Sequence, residues 1–190
     1  MAVVPCARAA PPSEKGTPMN SPRGAGSERD DFGQGLRHHR GLLLRTVRGL
    51  TDAQARLTPT ASQLCLGGIV KHLTLTEENW ARFIEQGPAY TGPPDAAAYE
   101  RQITSFHVEG TDSLAELVDR YRAAARYTDE LVISLPSLDA SQPLPEAPWF
   151  ERGARWSARR VLVHLVAETA QHAGHADIIR EAIDGAKSMG

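Results

Sequence analysis

A carboxylate and two imidazoles interrupt the apolar face of the last predicted helix, over residues 156–185. Side chains spaced three and four residues apart share one face of a helix. In chain order this face carries Val161, Leu165, Glu168, His172, His175, Ile179 and Ile183. Buried polar groups of this kind cost free energy unless they are paired or bind a metal ion. The pattern therefore favours a metal site inside a helical bundle.

The spacing of these residues also indicates how an ion would be bound. Glu168 and His172 lie about 6 Å apart along the helix axis, so both can reach one ion at about 2.0–2.2 Å. His72 lies in the apolar stripe of another predicted helix and can complete a set of three ligands. His175, three residues after His172, competes for the third place. Three protein ligands leave a position for water or substrate, as in catalytic sites. The alternative interpretation of the whole group is a buried hydrogen-bond network without metal.

The other histidines are weaker candidates. His38 and His39 are adjacent, so only one of them can face the core. His107 lies in a long connection and is expected to be solvated. His164 lies one turn before Glu168 at the edge of the apolar face, where it is either a partner of the ligands or an ordinary core histidine.

The elements that position these residues are all predicted to be helical. Apolar periodicity and capping signals predict helices over about 32–50, 65–86, 113–135 and 157–183. Ser113 and Glu116 have capping-box spacing, Ser157 is a suitable N-cap, and Gly185 ends the last helix. Long connections rich in proline separate the second, third and fourth helices, and no segment predicts a strand. The expected fold is an all-α four-helix bundle with long connections.

Composition and charge exclude several classes of protein. With 21 Lys and Arg against 23 Asp and Glu in 190 residues, the formal charge is −2. This balance argues against a nucleic-acid or anionic-membrane partner, and no apolar run has the length of a membrane span. A ferritin-like di-iron site needs Glu-x-x-His on two helices, whereas this chain has Glu-x-x-x-His once.

The chain is expected to comprise a disordered tail and one folded domain. Residues 1–30 are rich in Pro, Gly, Ser and Ala without periodicity and predict disorder, and residues 31–185 form the domain. Met19 is an alternative start. Cys6 and Cys65 are the only cysteines, and their positions argue against a structural disulfide and favour the cytoplasm.

Two segments of the chain, 67–80 (GGIVKHLTLTEENW) and 156–185, resemble the DinB/YfiT-like superfamily of four-helix metal proteins. The resemblance is to its uncharacterised actinobacterial branch in particular and runs over about residues 30–185. It depends on three elements that occur in the family's order: KHL, the WS helix start and HAGHAD.

The resemblance implies a ligand set and an activity. The family binds a divalent ion, usually zinc or nickel, and its ligand positions match His72, Glu168 and His172. Many members have His in place of Glu168, but the similar mycothiol-dependent maleylpyruvate isomerases have Glu there. The matching leaves His175 as a pocket residue. The implied function is a metal-dependent thiol S-transferase or isomerase that uses a low-molecular-weight thiol such as mycothiol.

In that mechanism a thiolate attacks a small electrophile, and His164 or His175 moves protons or orients a ligand. The alternative function is a non-catalytic metal- or ligand-binding bundle related to stress. Analogy with similar bundles adds the expectation of a homodimer.

Overall fold

The computed structural model describes residues 27–90, 100, 103–147 and 150–189, with the main chain alone for residues 89 and 90. The predicted disorder of residues 1–26 lies outside the described residues. The remaining residues of the predicted tail do not follow that prediction, because Ser27 caps a helix that begins at Glu28. The domain bounds of 31–185 stay a prediction.

Four long helices form the bundle, as the sequence predicts, and the protein is all-α in class. They are α1 (Glu28–Thr46), α3 (Leu66–Gln86), α4 (Leu114–Ser134) and α5 (Ala158–Asp184), with a short α2 (Asp52–Ala55) between the first two. A single 3₁₀ turn, Gly87–Tyr90, follows α3. No helix in the described part of the chain is long and apolar enough to cross a membrane.

The helix ends follow local capping rules. Ser113 and Glu116 form the predicted capping box of α4, and the Ser157 side chain accepts from the Arg160 amide at the start of α5. Gly185, with φ +78°, ends α5 in the left-handed region. The first helix begins and ends four residues earlier than predicted. Its start is set by a capping box of Ser27 and Asp30, which lies in the segment whose composition predicted disorder.

The expectation that the chain contains no strand is wrong for one short hairpin. Strand β1 (Ser141–Pro143) pairs antiparallel with β2 (Arg155–Ser157), and Gln142 lies opposite Trp156. Strands of three residues are too short to show an alternating pattern in a sequence. The pairing closes the connection between α4 and α5 and holds Trp156 at the entrance to α5.

The helices pack around a square, with α5 between α1 and α3 and with α4 against α3. Apolar side chains from all four helices fill the two ends of the interior. Leu43, Leu73 and Tyr121 are fully buried at one end, and Leu36 and Leu162 at the other. Between these ends, α3 and α5 bring polar side chains together.

A buried ion pair lies on the side of α3 that faces α1 and α4. Arg40 binds both carboxylate oxygens of Glu77, at 2.8 and 2.7 Å, and also reaches Asp129 at 2.7 Å. The Thr128 hydroxyl donates to Glu77 at 3.1 Å. Glu77 falls outside the predicted apolar stripe of its helix, and the sequence analysis did not single it out.

Candidate metal centre

The packing of α3 against α5 decides which polar residues meet. The rings of His72 and His172 lie 4.9 Å apart. Trp80, eight residues after His72, and His164, eight residues before His172, have rings 5.0 Å apart. One residue number rises while the other falls, so the two helices run antiparallel. This arrangement brings His72 opposite the Glu168–His172 pair, which α5 itself presents on one face.

Three potential ligand atoms converge at this level of the bundle. Nitrogen atoms of His72 and His172 and a carboxylate oxygen of Glu168 all lie within 4.8 Å of one another. Glu168 Oε2 is 3.8 Å from His72 Nε2 and 3.6 Å from His172 Nε2. His172 and His72 are buried, whereas the Glu168 side chain remains 28% exposed. Solvent therefore has access to the cluster along the carboxylate side.

The donor set and its spacing fit a divalent transition metal. Tetrahedral ligands about 2.0–2.2 Å from zinc are separated by about 3.3–3.6 Å, and the two nitrogen–oxygen distances here are close to that range. Imidazole nitrogen with carboxylate oxygen is a combination that zinc and nickel accept. The two nitrogen–oxygen separations are therefore compatible with one shared ion.

The pKa values of His172 and Glu168 are also compatible with metal binding. Burial, and then the neighbouring His72, lowers the pKa of His172 to about 4, so its ring is neutral at pH 7. A hydrogen bond with the His72 ring lowers the pKa of Glu168 and outweighs the opposing effect of burial. Neutral imidazoles and an ionised carboxylate are the forms that bind metals.

Two residues from the connection before α4 contact His72. The Ser105 hydroxyl lies 2.9 Å from His72 Nδ1, and the Phe106 ring stacks on the imidazole at 3.9 Å, with 15° between the planes. The sequence analysis singled out neither residue, because they lie in the long connection, outside the apolar stripes of the four predicted helices. The only available signal was the need of a buried imidazole for a hydrogen-bond partner.

His164 and His175, the two predicted pocket residues, lie on opposite sides of the cluster. His164 Nε2 is 4.0 Å from Glu168 Oε1, and its ring meets Trp80 and Trp156 edge to face. Burial lowers the pKa of His164. His175 Nδ1 is 3.5 Å from His172 Nδ1. His175 therefore lies behind His172 and outside the group of three convergent ligands.

The remaining histidines lie apart from the cluster. His38 and His39 contact each other edge to face on α1, with His38 exposed and His39 half-buried. His107 is exposed, as predicted.

Comparison with known proteins supplies a family and a fold. A sequence model of the mycothiol-S-transferase family matches residues 32–185. Curated proteins give no match. Among solved structures, the chain is similar to a conserved protein from Enterococcus faecalis, with a TM-score of 0.53 and 13% identity over 85% of this chain and 100% of that one. Identity that low supports the shared fold alone.

Proposed function

The chain belongs to the mycothiol-S-transferase family, and on that premise we propose that it is a metal-dependent transferase that joins a mycothiol-type thiol to a small electrophile. His72, Glu168 and His172 would hold the ion, with zinc the first choice and nickel the second. The convergence of these three ligand atoms within 4.8 Å, from two helices of a chain in this family, is the observation that supports the proposal.

The reaction replaces a leaving group on carbon by the sulfur of the thiol. The sulfur–carbon bond forms, the bond from carbon to the leaving group breaks, and the leaving group departs with the electron pair while the thiol proton is released. When bound, the divalent ion would lower the pKa of a coordinating thiol, so that the nucleophilic thiolate is present at neutral pH.

The chain's own residues have separate parts in this scheme. Glu168 supplies one negative charge that offsets the charge of the cation. His172 enters as a neutral ligand, so no proton has to be displaced from it at pH 7. The Phe106 ring covers His72 and keeps water from that side. His164 and His175 are the imidazoles placed to accept the thiol proton or to orient the acceptor.

Metal content is the first test of this function. The metal in purified, untagged protein is measured by plasma mass spectrometry for the wild type, His172→Ala and Glu168→Ala. About one ion per chain is expected in the wild type, and a sharp loss in both variants with helicity retained. His107→Ala is the matched control, because that exposed imidazole lies outside the cluster and should leave the metal content unchanged. Full metal retention by Glu168→Ala would remove Glu168 from the ligand set.

Thiol transfer is tested on the metal-loaded protein with mycothiol and an aryl halide, following the thioether by mass spectrometry. We expect the product with the wild type and His107→Ala, but not with His172→Ala. Metal binding without any metal-dependent product, over a range of electrophiles, would leave the alternative of a non-catalytic metal-binding bundle.

A further inference from the structure

The segment before α4 contacts His72 at both its edge and its face. Ser105 Oγ lies 2.9 Å from His72 Nδ1, and the Phe106 ring stacks on the imidazole. His72 is 3% exposed and Ser105 is 4% exposed. Water is therefore excluded from this hydrogen bond and cannot replace the hydroxyl without a rearrangement.

The same segment is anchored to α3 close to His72. A Cβ at Gly68, one turn before His72, would overlap the carbonyl oxygen of Phe106, so the close approach requires glycine. Lys71 donates to the carbonyl oxygen of His107 at 2.8 Å. Backbone contacts with α3 therefore fix where the Ser105 hydroxyl lies relative to the imidazole.

The opposite nitrogen of the ring points into the cluster. His72 Nε2 lies 3.8 Å from Glu168 Oε2, and a ring nitrogen binds a metal only through its free lone pair. If Nε2 is the ligand atom of a neutral ring, Nδ1 carries the proton and needs an acceptor. A serine hydroxyl oxygen can accept such a hydrogen bond.

We propose that Ser105 is a positioning residue for the metal centre: its hydroxyl oxygen accepts a hydrogen bond from His72 Nδ1 and selects the tautomer that presents Nε2 to the ion. The inference rests on the proposed metal site. His172 is arranged in the same way, with Nε2 3.6 Å from Glu168 Oε2 and Nδ1 3.5 Å from His175. Both imidazoles thus face Glu168 through Nε2 and have a polar partner behind Nδ1.

The first test compares zinc affinity in Ser105→Ala and the wild type by competition with a chromophoric chelator. Loss of a partner that orients a metal-ligating histidine weakens metal binding by about 10–100-fold, and that is the loss expected here, with helicity unchanged. Thr104→Ala is the matched control. This neighbouring hydroxyl is exposed, bonds to the carbonyl oxygen of Glu100, and should leave zinc affinity at the wild-type value.

A second measurement identifies the tautomer of His72 directly. Long-range proton–nitrogen NMR spectra of the zinc-loaded wild type should show His72 protonated at Nδ1 and coordinated through Nε2. In Ser105→Ala, the Nδ1 proton should lose its protection and exchange faster with solvent. A purely structural serine would not affect that signal selectively.

Two results would overturn the inference and leave the proposed function standing. These are equal zinc affinity in Ser105→Ala and the wild type, or coordination of wild-type His72 through Nδ1. Failure of the wild type to bind either zinc or nickel would instead refute the metal site and this inference together, before any variant is compared.

Discussion

Burial gives His172 a lower pKa than that of an ordinary histidine. Its pKa falls from 6.5 to about 4, first through desolvation and then through the nearby His72, with Glu168 acting in the opposite direction. The ring is therefore neutral at pH 7. A metal ion bound by His172 would therefore not have to displace a proton from this ring near pH 7.

The same shift makes the stability of the metal-free protein depend on pH. A histidine with a lowered pKa takes up its proton more readily in the unfolded chain, so stability is greatest above about pH 6.5 and falls toward pH 4. The contribution of His172 to this fall is expected to be about 1–3 kcal/mol. Urea unfolding of the metal-free protein at several pH values measures it.

His172→Gln is the control for this effect, because it keeps a polar side chain of similar reach that does not titrate. Between about pH 6.5 and pH 4, the stability of this variant should decline less steeply than that of the wild type. Parallel pH profiles for the two proteins would show that His172 is not the group responsible.

The connection before α4 contributes to the site in addition to the helices. The segment with Ser105 and Phe106 lies directly on α3, and the close approach occurs at Gly68. The environment of His72 therefore depends on a contact between a helix and a loop, in addition to the packing of α3 against α5.

Gly68→Ala should displace this connection. The added methyl group would overlap the Phe106 carbonyl, so the loop must move and carry Ser105 away from His72. We expect destabilisation of about 1–3 kcal/mol, the usual cost of overpacking, together with weaker zinc binding. Thermal unfolding and chelator competition measure the two effects.

Gly41→Ala is the matched control within a helix. A Cβ at Gly41 has no neighbour within 4 Å, and alanine in a helix interior is more stable than glycine by about 0.5–1 kcal/mol. This variant should gain stability and keep wild-type zinc affinity. Unchanged stability in Gly68→Ala would show that the loop yields without cost.

At the scale of the whole molecule, the Arg40–Glu77 pair ties three helices together. Arg40 lies on α1, Glu77 on α3, and Asp129, which also binds Arg40, on α4. Both members of the main pair are almost fully buried, so neither charge can be solvated if the other is removed. The bundle therefore depends on an ionic contact in its interior as well as on apolar packing.

Glu77→Ala should destabilise the protein by up to about 3–5 kcal/mol, because it removes both Glu77 contacts of the buried Arg40 charge and leaves the partly exposed Asp129 to pair with it. Equilibrium unfolding in urea measures this loss. Asp119→Ala is the control, since its pair with Arg122 is exposed and such pairs contribute less than about 1 kcal/mol. A loss below about 1 kcal/mol in Glu77→Ala would mean that water or another group compensates the arginine.

Features that depend on neighbours along the chain could be predicted from the amino-acid sequence. Helix ends could be predicted where capping residues are local, as at Ser113 and Gly185, and the four long helices followed from apolar spacing. The pairing of Glu168 with His172 on one helical face was predictable for the same reason, since a helix fixes the relation between residues four apart. The role of His72, Glu168 and His172 as metal ligands remains a prediction.

The contacts between segments distant in sequence could be seen only in the folded protein. Facing positions on α3 and α5 bring His72 to Glu168 and His172 across about a hundred residues of chain. Ser105 reaches His72 from a segment without periodicity, and Arg40 finds Glu77 across the interior. These relations depend on how whole helices and loops pack, and local spacing does not encode that packing. The placement of Glu168 and His172 on one face of α5 could therefore be predicted from the sequence, whereas the contact of Ser105 with His72 could not.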